Sequence, residues 1–194
     1  REHGLPVFAH IDDADEAAAA LEAGVNNIQH MFDPRPGRFE QDVERVSALC
    51  LEHRAFWSMT LSWFEAYTRA GDPSLLDEIG VQGRVEPLVL EELLEDPQSM
   101  WRTMGDEMRA YFKARLDAAQ AVLAHVNGQG VLTTVATDAG NPIVFHGASA
   151  LREMVLMQAA GVPPLEILRA ATSRAAEKIG RLGDLGTVEV GKIA

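Results

Sequence analysis

The sequence of 194 residues contains one cysteine, few basic residues and no long apolar run. The single cysteine, Cys50, excludes a disulfide within the chain; a reducing compartment such as the cytoplasm is favoured, and an oxidising one stays open. With 17 Lys and Arg against 29 Asp and Glu, the net charge of -12 argues against non-specific binding to nucleic acid or to anionic membranes. No apolar run approaches the roughly 20 residues of a membrane-spanning helix. Glycine-rich loops of the dinucleotide-binding or Walker type are also missing, so a nucleotide cofactor is not indicated.

The sequence does contain an alternation of short strands and helices. Residues 5–10 form an apolar run that predicts a strand, and the alanine-rich residues 16–23 predict a helix that Gly24 ends. Residues 25–30 then predict a second strand. Two strands joined by one helix of this length form a βαβ unit, in which the strands are parallel. The sequence therefore indicates an α/β fold.

The alternation continues with a long interruption. A helical period predicts a helix over residues 39–53, and further strands are predicted at 55–61 and 131–136. Residues 62–130 lie between these two strands and are mostly helical in pattern, far too long for a plain βα connection. We interpret this segment as a helical insertion, and an insertion after a strand's carboxyl end would overhang the active-site face of a barrel.

The segment after the fourth strand predicts three more helices and a tail. The helices fall at about 148–160, 165–171 and 173–179, separated by Gly and Pro signals. Residues 185–192 alternate in a way that suggests a strand and a turn leaving the helical layer. The chain thus reads as one layer of strands covered by helices.

Three ionisable side chains follow predicted strands: His10, His30 and Asp138. In a parallel barrel all strand ends open onto one face, and neighbouring backbones lie about 5 Å apart. Two imidazoles in such positions can ligate one metal ion or one substrate, and a carboxylate across the mouth could bind the metal and take a proton from its water. A lone His at a strand end is more often a hydrogen-bonded structural residue, but two matched His with an Asp-x-Gly favour a metal site.

Several segments resemble, in order, parts of amidohydrolases related to imidazolonepropionase and the Xaa-Pro dipeptidases. The resemblance covers residues 1–61 and 131–194, whereas residues 62–130 match only in being helical. It implies a (β/α)8 TIM-type barrel represented here by strands 5–8, with residues 1–184 as the barrel half and 185–194 as the start of a return to a small β-sandwich. The segments that carry it are residues 7–10, 21–25, 28–30, 137–141, 146–147, 160–166, 170–172 and 185–194.

The resemblance also implies a chemistry. It identifies a metal-dependent hydrolase that cleaves a C–N bond of an amide, cyclic amide or peptide through a metal-bound hydroxide. His10 and His30 resemble the two histidines that hold the more exposed metal. Asp138 resembles the residue that binds the buried metal and acts as general base. The implied cofactor is a divalent metal, with zinc as the first candidate and one or two ions in the complete enzyme.

Two further residues are candidates for the substrate side of the site. His146 follows Asp138 in the same loop and resembles a family position that faces substrate. Thr60, at the end of the third predicted strand, would face the same mouth, although a threonine in this position more often has a structural role. The expected partner is a small-molecule or peptide substrate, with no nucleic acid and no membrane.

The family's first four strands, its His-x-His pair and its bridging Lys or Glu have no counterpart in this sequence. Four strands cannot close an eight-stranded barrel, and an open half leaves two unpaired edges. We therefore expect a missing N-terminal half, or a second copy, to complete the barrel. The alternative is a non-catalytic half-barrel that acts in binding or assembly.

Overall fold

A four-stranded parallel sheet lies at the centre of the computed structural model, which describes residues 3–81 and 83–193. Its strands follow the chain in order, and they are β1 (Phe8–His10), β2 (Asn27–Gln29), β3 (Phe56–Ser58) and β4 (Leu132–Thr133). All three pairings are parallel, with His10 opposite Gln29 and Gln29 opposite Ser58. The predicted α/β class and parallel strands are confirmed. Because right-handed crossovers between consecutive strands place their helices on one face, this arrangement is an arc of a barrel.

Ten helices surround the described part of the sheet. Helix bounds predicted outside the insertion agree within two residues, and the insertion contains four short helices followed by one long helix. The long helix includes Gly128 and is capped by Gly130 at φ +88°. No helix in the described ranges is both long and apolar enough to cross a bilayer. The helices are α1 (Ala14–Glu22), α2 (Phe39–His53), α3 (Leu61–Thr68), α4 (Pro73–Glu78), α5 (Pro87–Glu95), α6 (Met100–Thr103), α7 (Asp106–Gln129), α8 (Ala148–Ala159), α9 (Pro164–Ala171) and α10 (Ser173–Lys178).

The strands are shorter than the apolar runs that predicted them. The third run was expected to extend to residue 61, but β3 ends at Ser58 because Thr60 turns the backbone at φ +52° and α3 begins immediately after it. The tail was also expected to contain a strand. Residues 185–193 instead form bends and turns, with Val188 and Val190 fully exposed. No second sheet in the described ranges covers these side chains, so the residues of the alternating pattern pair with no strand.

The core between sheet and helices is built around buried aromatic rings. Trp57 of β3 and Phe32 are fully buried and stacked, with ring centroids 5.6 Å apart. The Trp57 indole N–H donates to the carbonyl oxygen of His30 at 2.8 Å. This bond satisfies the polar atom of a buried ring and fixes the backbone at the end of β2.

A buried carboxylate holds the start of α3. The backbone N–H groups of Leu61 and Ser62 donate to the two Glu153 carboxylate oxygens at 2.9 and 2.6 Å. Glu153 belongs to α8 and is 1% exposed, and burial raises the pKa of its carboxyl to about 7. Next to it, Arg152 of α8 forms an ion pair with Glu65 of α3. The two contacts tie α8 to the helix that begins at the carboxyl end of β3.

Replacing Glu153 by Gln should change how stability depends on pH. The pKa of this carboxyl rises from 4.5 to about 7 on folding, so its contribution to stability is complete below the unfolded pKa and is lost as the pH rises through the folded one. We expect the unfolding free energy of the wild type to fall by on the order of 2 kcal/mol from about pH 5 to pH 8 because of this group, as measured by urea denaturation. Glu153→Gln should lack this loss. Glu107→Gln, an exposed change on α7, is the control and should behave as wild type; an unchanged pH dependence in Glu153→Gln would contradict the assignment.

Candidate functional site

The structure brings the three predicted site residues into one pocket. The rings of His10 and His30 lie with centroids 4.8 Å apart, at the ends of neighbouring strands. Together with Asp138 they line a pocket of about 190 Å³. Trp63 of α3 and Arg115 of α7 supply part of its wall. The carboxyl edge of the sheet and the helical insertion thus meet around these side chains.

Backbone strain is concentrated where these strands end. His30, Thr60 and Asp138 have φ values of +68°, +52° and +58°, in the left-handed region that non-glycine residues seldom occupy. Such conformations cost on the order of 1 kcal/mol or more each and persist where surrounding contacts determine them. The turns at His30 and Thr60 follow the ends of β2 and β3 within two residues, whereas Asp138 lies in the loop after β4.

His30 is held in one tautomer by Thr60. The Thr60 hydroxyl donates its proton to the Met59 carbonyl at 2.8 Å and lies 2.9 Å from His30 Nδ1, so it can only accept from that nitrogen. Nδ1 therefore carries the proton, and Nε2 keeps a free lone pair. Burial lowers the pKa of His30, while the Asp138 charge partly opposes this shift. A neutral imidazole with one bare nitrogen is the form that binds metals.

His10 is oriented by a carboxylate. Its Nε2 lies 3.0 Å from Asp12 Oδ1, and because an ionised carboxylate only accepts, Nε2 is the donor. His10 Nδ1 has no hydrogen-bond partner within residues 3–81 and 83–193. A carboxylate that accepts from one ring nitrogen raises the basicity of the other, the usual arrangement behind a metal-bound histidine.

Asp138 is fixed by the loop that follows it. The Asn141 side-chain amide donates to Asp138 Oδ2 at 2.8 Å and to its carbonyl oxygen at 3.1 Å. Asp138 is exposed, and its other carboxylate oxygen has no protein donor in the described ranges. One oxygen is thus anchored while the second can take a metal or a proton.

The sequence analysis missed the residues that orient this site. Asp12 and Asn141 form hydrogen bonds with His10 and Asp138, and both could have been suspected because they are polar and lie close to these residues in sequence. Nothing in the sequence indicated Arg115, because it lies on a helix of the insertion. Its guanidinium donates to the Met31 carbonyl at 2.7 Å and lies 5.1 Å from the Phe64 ring centroid. The insertion therefore forms a wall of the pocket.

The two predicted substrate residues lie elsewhere. Thr60 is 1% exposed with its hydroxyl on His30, so the structure gives it a contact with a histidine and places it outside the pocket lining. His146 is exposed and lines a second cavity of about 580 Å³ between the insertion and the loop after β4. The structure does not bring either of them to the pocket of His10 and His30.

The donor set suits a divalent metal but is incomplete. Two imidazole nitrogens and a carboxylate are ligand types of zinc, and catalytic sites leave a position open. Across the described residues, no three His, Cys, Asp or Glu side chains come close enough to hold an ion by themselves. His10 Nδ1, His30 Nε2 and Asp138 are the groups that would hold it.

Comparison with known proteins assigns this architecture. A model of the amidohydrolase family matches residues 1–194, and no curated protein matches the chain. A solved Xaa-Pro dipeptidase with bound methionine in its active site is similar at TM-score 0.66 and 20% identity, over 100% of this chain and 38% of that one. A putative prolidase from Bifidobacterium longum has TM-score 0.65 and 23% identity, over 100% and 40%. The A. niger ochratoxinase has TM-score 0.65 and 20% identity, over 98% and 34%.

The chain spans about two fifths or less of the length of these solved relatives. At such identities the likeness concerns the fold, and the ordered parallel strands match one part of the relatives' TIM-type barrel. The family match covers every residue of the chain. This chain belongs to the amidohydrolase family.

Proposed function

We propose that this chain supplies half of the active site of a metal-dependent hydrolase that cleaves the C–N bond of an amide, cyclic amide or peptide. One observation carries the proposal: the rings of His10 and His30 lie 4.8 Å apart, each with one nitrogen held by a partner and the other free. Two neighbouring imidazoles that each keep one free nitrogen can bind one metal ion together. Asp138 lines the same pocket.

Each residue has a defined task in this mechanism. His10 Nδ1 and His30 Nε2 would hold a divalent metal, zinc as the first candidate, together with the Asp138 carboxylate. When bound, the metal lowers the pKa of water and polarises the scissile carbonyl. Asp138 accepts a proton from the water that attacks the carbonyl carbon. It then delivers that proton to the nitrogen as the C–N bond breaks, so the carboxylate is regenerated.

The remaining ligands come, on this proposal, from the part of the barrel that the chain does not contain. Residues 1–184 form the barrel half, and 185–194 lead toward a further small domain. The exposed edge strand supports this, because Val7 and Phe8 are 46% and 41% exposed and Leu5 before them is 71% exposed. Apolar side chains along an unpaired edge are a surface for strand pairing. A preceding segment or a second copy would cover them.

The relatives favour a small amide or peptide substrate. One solved relative is named as a prolidase complexed with n-methylphosphonate-l-proline, and another as a Xaa-Pro dipeptidase with bound methionine. Both names describe ligands derived from amino acids. We extend to this chain only the chemical class, an amide bond next to an amino-acid unit.

A non-catalytic role in binding or assembly is the second candidate. The specific observation in its favour is the incomplete ligand set, since the described chain lacks a cluster of three close metal-ligating side chains. This role predicts no metal binding even when the barrel is completed, so metal content separates the two candidates.

The first test is removal of a ligand and of the base in the protein that carries the complete barrel. His30→Ala should lose bound zinc, because one of two neighbouring imidazoles is removed, and Asp138→Asn should lower kcat by roughly 10²–10⁴-fold because an amide cannot take the proton. Zinc content by mass spectrometry and amide hydrolysis are the measurements. His53→Ala, at the carboxyl end of α2 and outside this pocket, is the control. Wild-type zinc content and rates in both site variants would rule out the mechanism.

The second test concerns the tautomer of His30. Thr60→Val keeps the shape of the side chain but removes the hydroxyl that accepts from Nδ1. We expect the zinc dissociation constant to rise about 10–100-fold, as for other partners of metal-bound histidines, while Thr60→Ser stays within about threefold of wild type. Competition with a chromogenic chelator gives these constants. Equal affinity in Thr60→Val and wild type would show that the hydroxyl does not orient the ligand.

A further inference from the structure

A second cavity lies beside the candidate metal pocket and has no role in the mechanism above. It measures about 580 Å³ and opens between the insertion helices α5 and α6 and the loop that follows β4. Volumes of this size are typical of small-molecule sites. Most of its wall is apolar and comes from Val89, Leu93, Met100, Ile143, Val144 and Phe145.

The cavity is joined to the candidate base by one residue. Asn141 lines the cavity, and its side-chain amide donates to Asp138 Oδ2 at 2.8 Å. Asp138 in turn lines the pocket of His10 and His30. If the reacting bond of a bound molecule lies at Asp138, the groups next to that bond can therefore reach this cavity.

An exposed polar group also lies at the cavity. His146 is exposed and lines the cavity, so its imidazole can meet a polar atom of a bound molecule. At the rim, Arg84 offsets part of the charge of Glu86 and Glu92. Charges of both signs at the rim and apolar walls suit an uncharged apolar group better than an ion.

We propose that this cavity is a specificity subsite that takes an apolar side chain, of the size of Leu or Phe, from the amide cleaved beside Asp138. The inference rests on the proposed function and adds its substrate class. Apolar walls favour the side chain through burial, and the exposed imidazole of His146 meets a polar atom of the substrate backbone. The insertion then selects the substrate, because it supplies the wall opposite the loop after β4.

A pair of tryptophan substitutions on α5 tests the subsite. Val89→Trp places a large ring at a partly exposed lining position, whereas Leu88→Trp places the same ring at its neighbour, which is 60% exposed and outside the lining. In the complete protein we would measure kcat/KM for the dipeptides Phe-Ala and Ala-Phe against Gly-Ala and Ala-Gly. Wild type should prefer one Phe substrate over its Gly partner at least about tenfold. Val89→Trp should remove that preference, whereas Leu88→Trp should match wild type on all four dipeptides.

Binding in an inactive background separates this inference from the proposed function. In Asp138→Asn protein, calorimetry should show N-acetylphenylalaninamide binding at least about tenfold more tightly than N-acetylglycinamide, with the difference abolished by Val89→Trp. If binding shows this preference but the wild type hydrolyses no substrate, the subsite is supported and the proposed hydrolase function is contradicted.

If the wild type hydrolyses Phe and Gly substrates with equal kcat/KM, the subsite is ruled out and the proposed hydrolase function is supported. If Val89→Trp fails to fold, the wild-type preference decides, and a ratio below about twofold in both rate and binding overturns the subsite.

Discussion

The turn between β3 and α3 is the contact on which the candidate site depends. The Thr60 hydroxyl accepts a hydrogen bond from His30, which follows β2, and the backbone N–H groups of Leu61 and Ser62 donate to Glu153 of α8. Thr60 itself has a left-handed backbone conformation. A strained residue keeps its conformation only when its neighbours determine it. The Glu153 carboxylate and the His30 ring both contact this turn and help to determine its conformation. The orientation of His30 is thus linked to a helix more than 90 residues after the turn.

The insertion belongs to the site as much as the sheet does. Its aromatic side chains pack in a cluster, with ring centroids 4.9 Å apart for Trp63 and Tyr67 and 5.3 Å for Trp63 and Phe112. This cluster covers one side of the histidine pocket, and α5 and α6 cover the apolar cavity. A wall of rings near the ligands lowers the local dielectric, which strengthens the interaction of charged groups with a metal or a developing charge. On the proposed function, the strands position the reacting groups and the insertion limits which molecules reach them.

A lysine is partly buried against the sheet. Lys178 of α10 donates to Ser58 Oγ at 3.0 Å and lies 5.0 Å from the Phe8 ring centroid. Burial lowers the pKa of Lys178 to about 8. Polar and aromatic groups of the sheet thus stabilise this partly buried amine. The chain covers 38% of the length of the Xaa-Pro dipeptidase, and its sheet has four strands.

The α/β class, the parallel order of the strands and the position of the helical insertion could all be predicted from the sequence, because apolar periodicity and the Gly and Pro signals between elements are local properties. The grouping of His10, His30 and Asp138 could be predicted as well, since residues after parallel strands meet at one edge. The remaining features depend on packing between distant parts of the chain. The strands end earlier than their apolar runs because left-handed turns at His30 and Thr60 depend on contacts with distant residues. Thr60 contacts His30, and His146 lines a separate cavity. The direction of each side chain depends on packing between elements far apart in the chain, so a local sequence pattern cannot predict it.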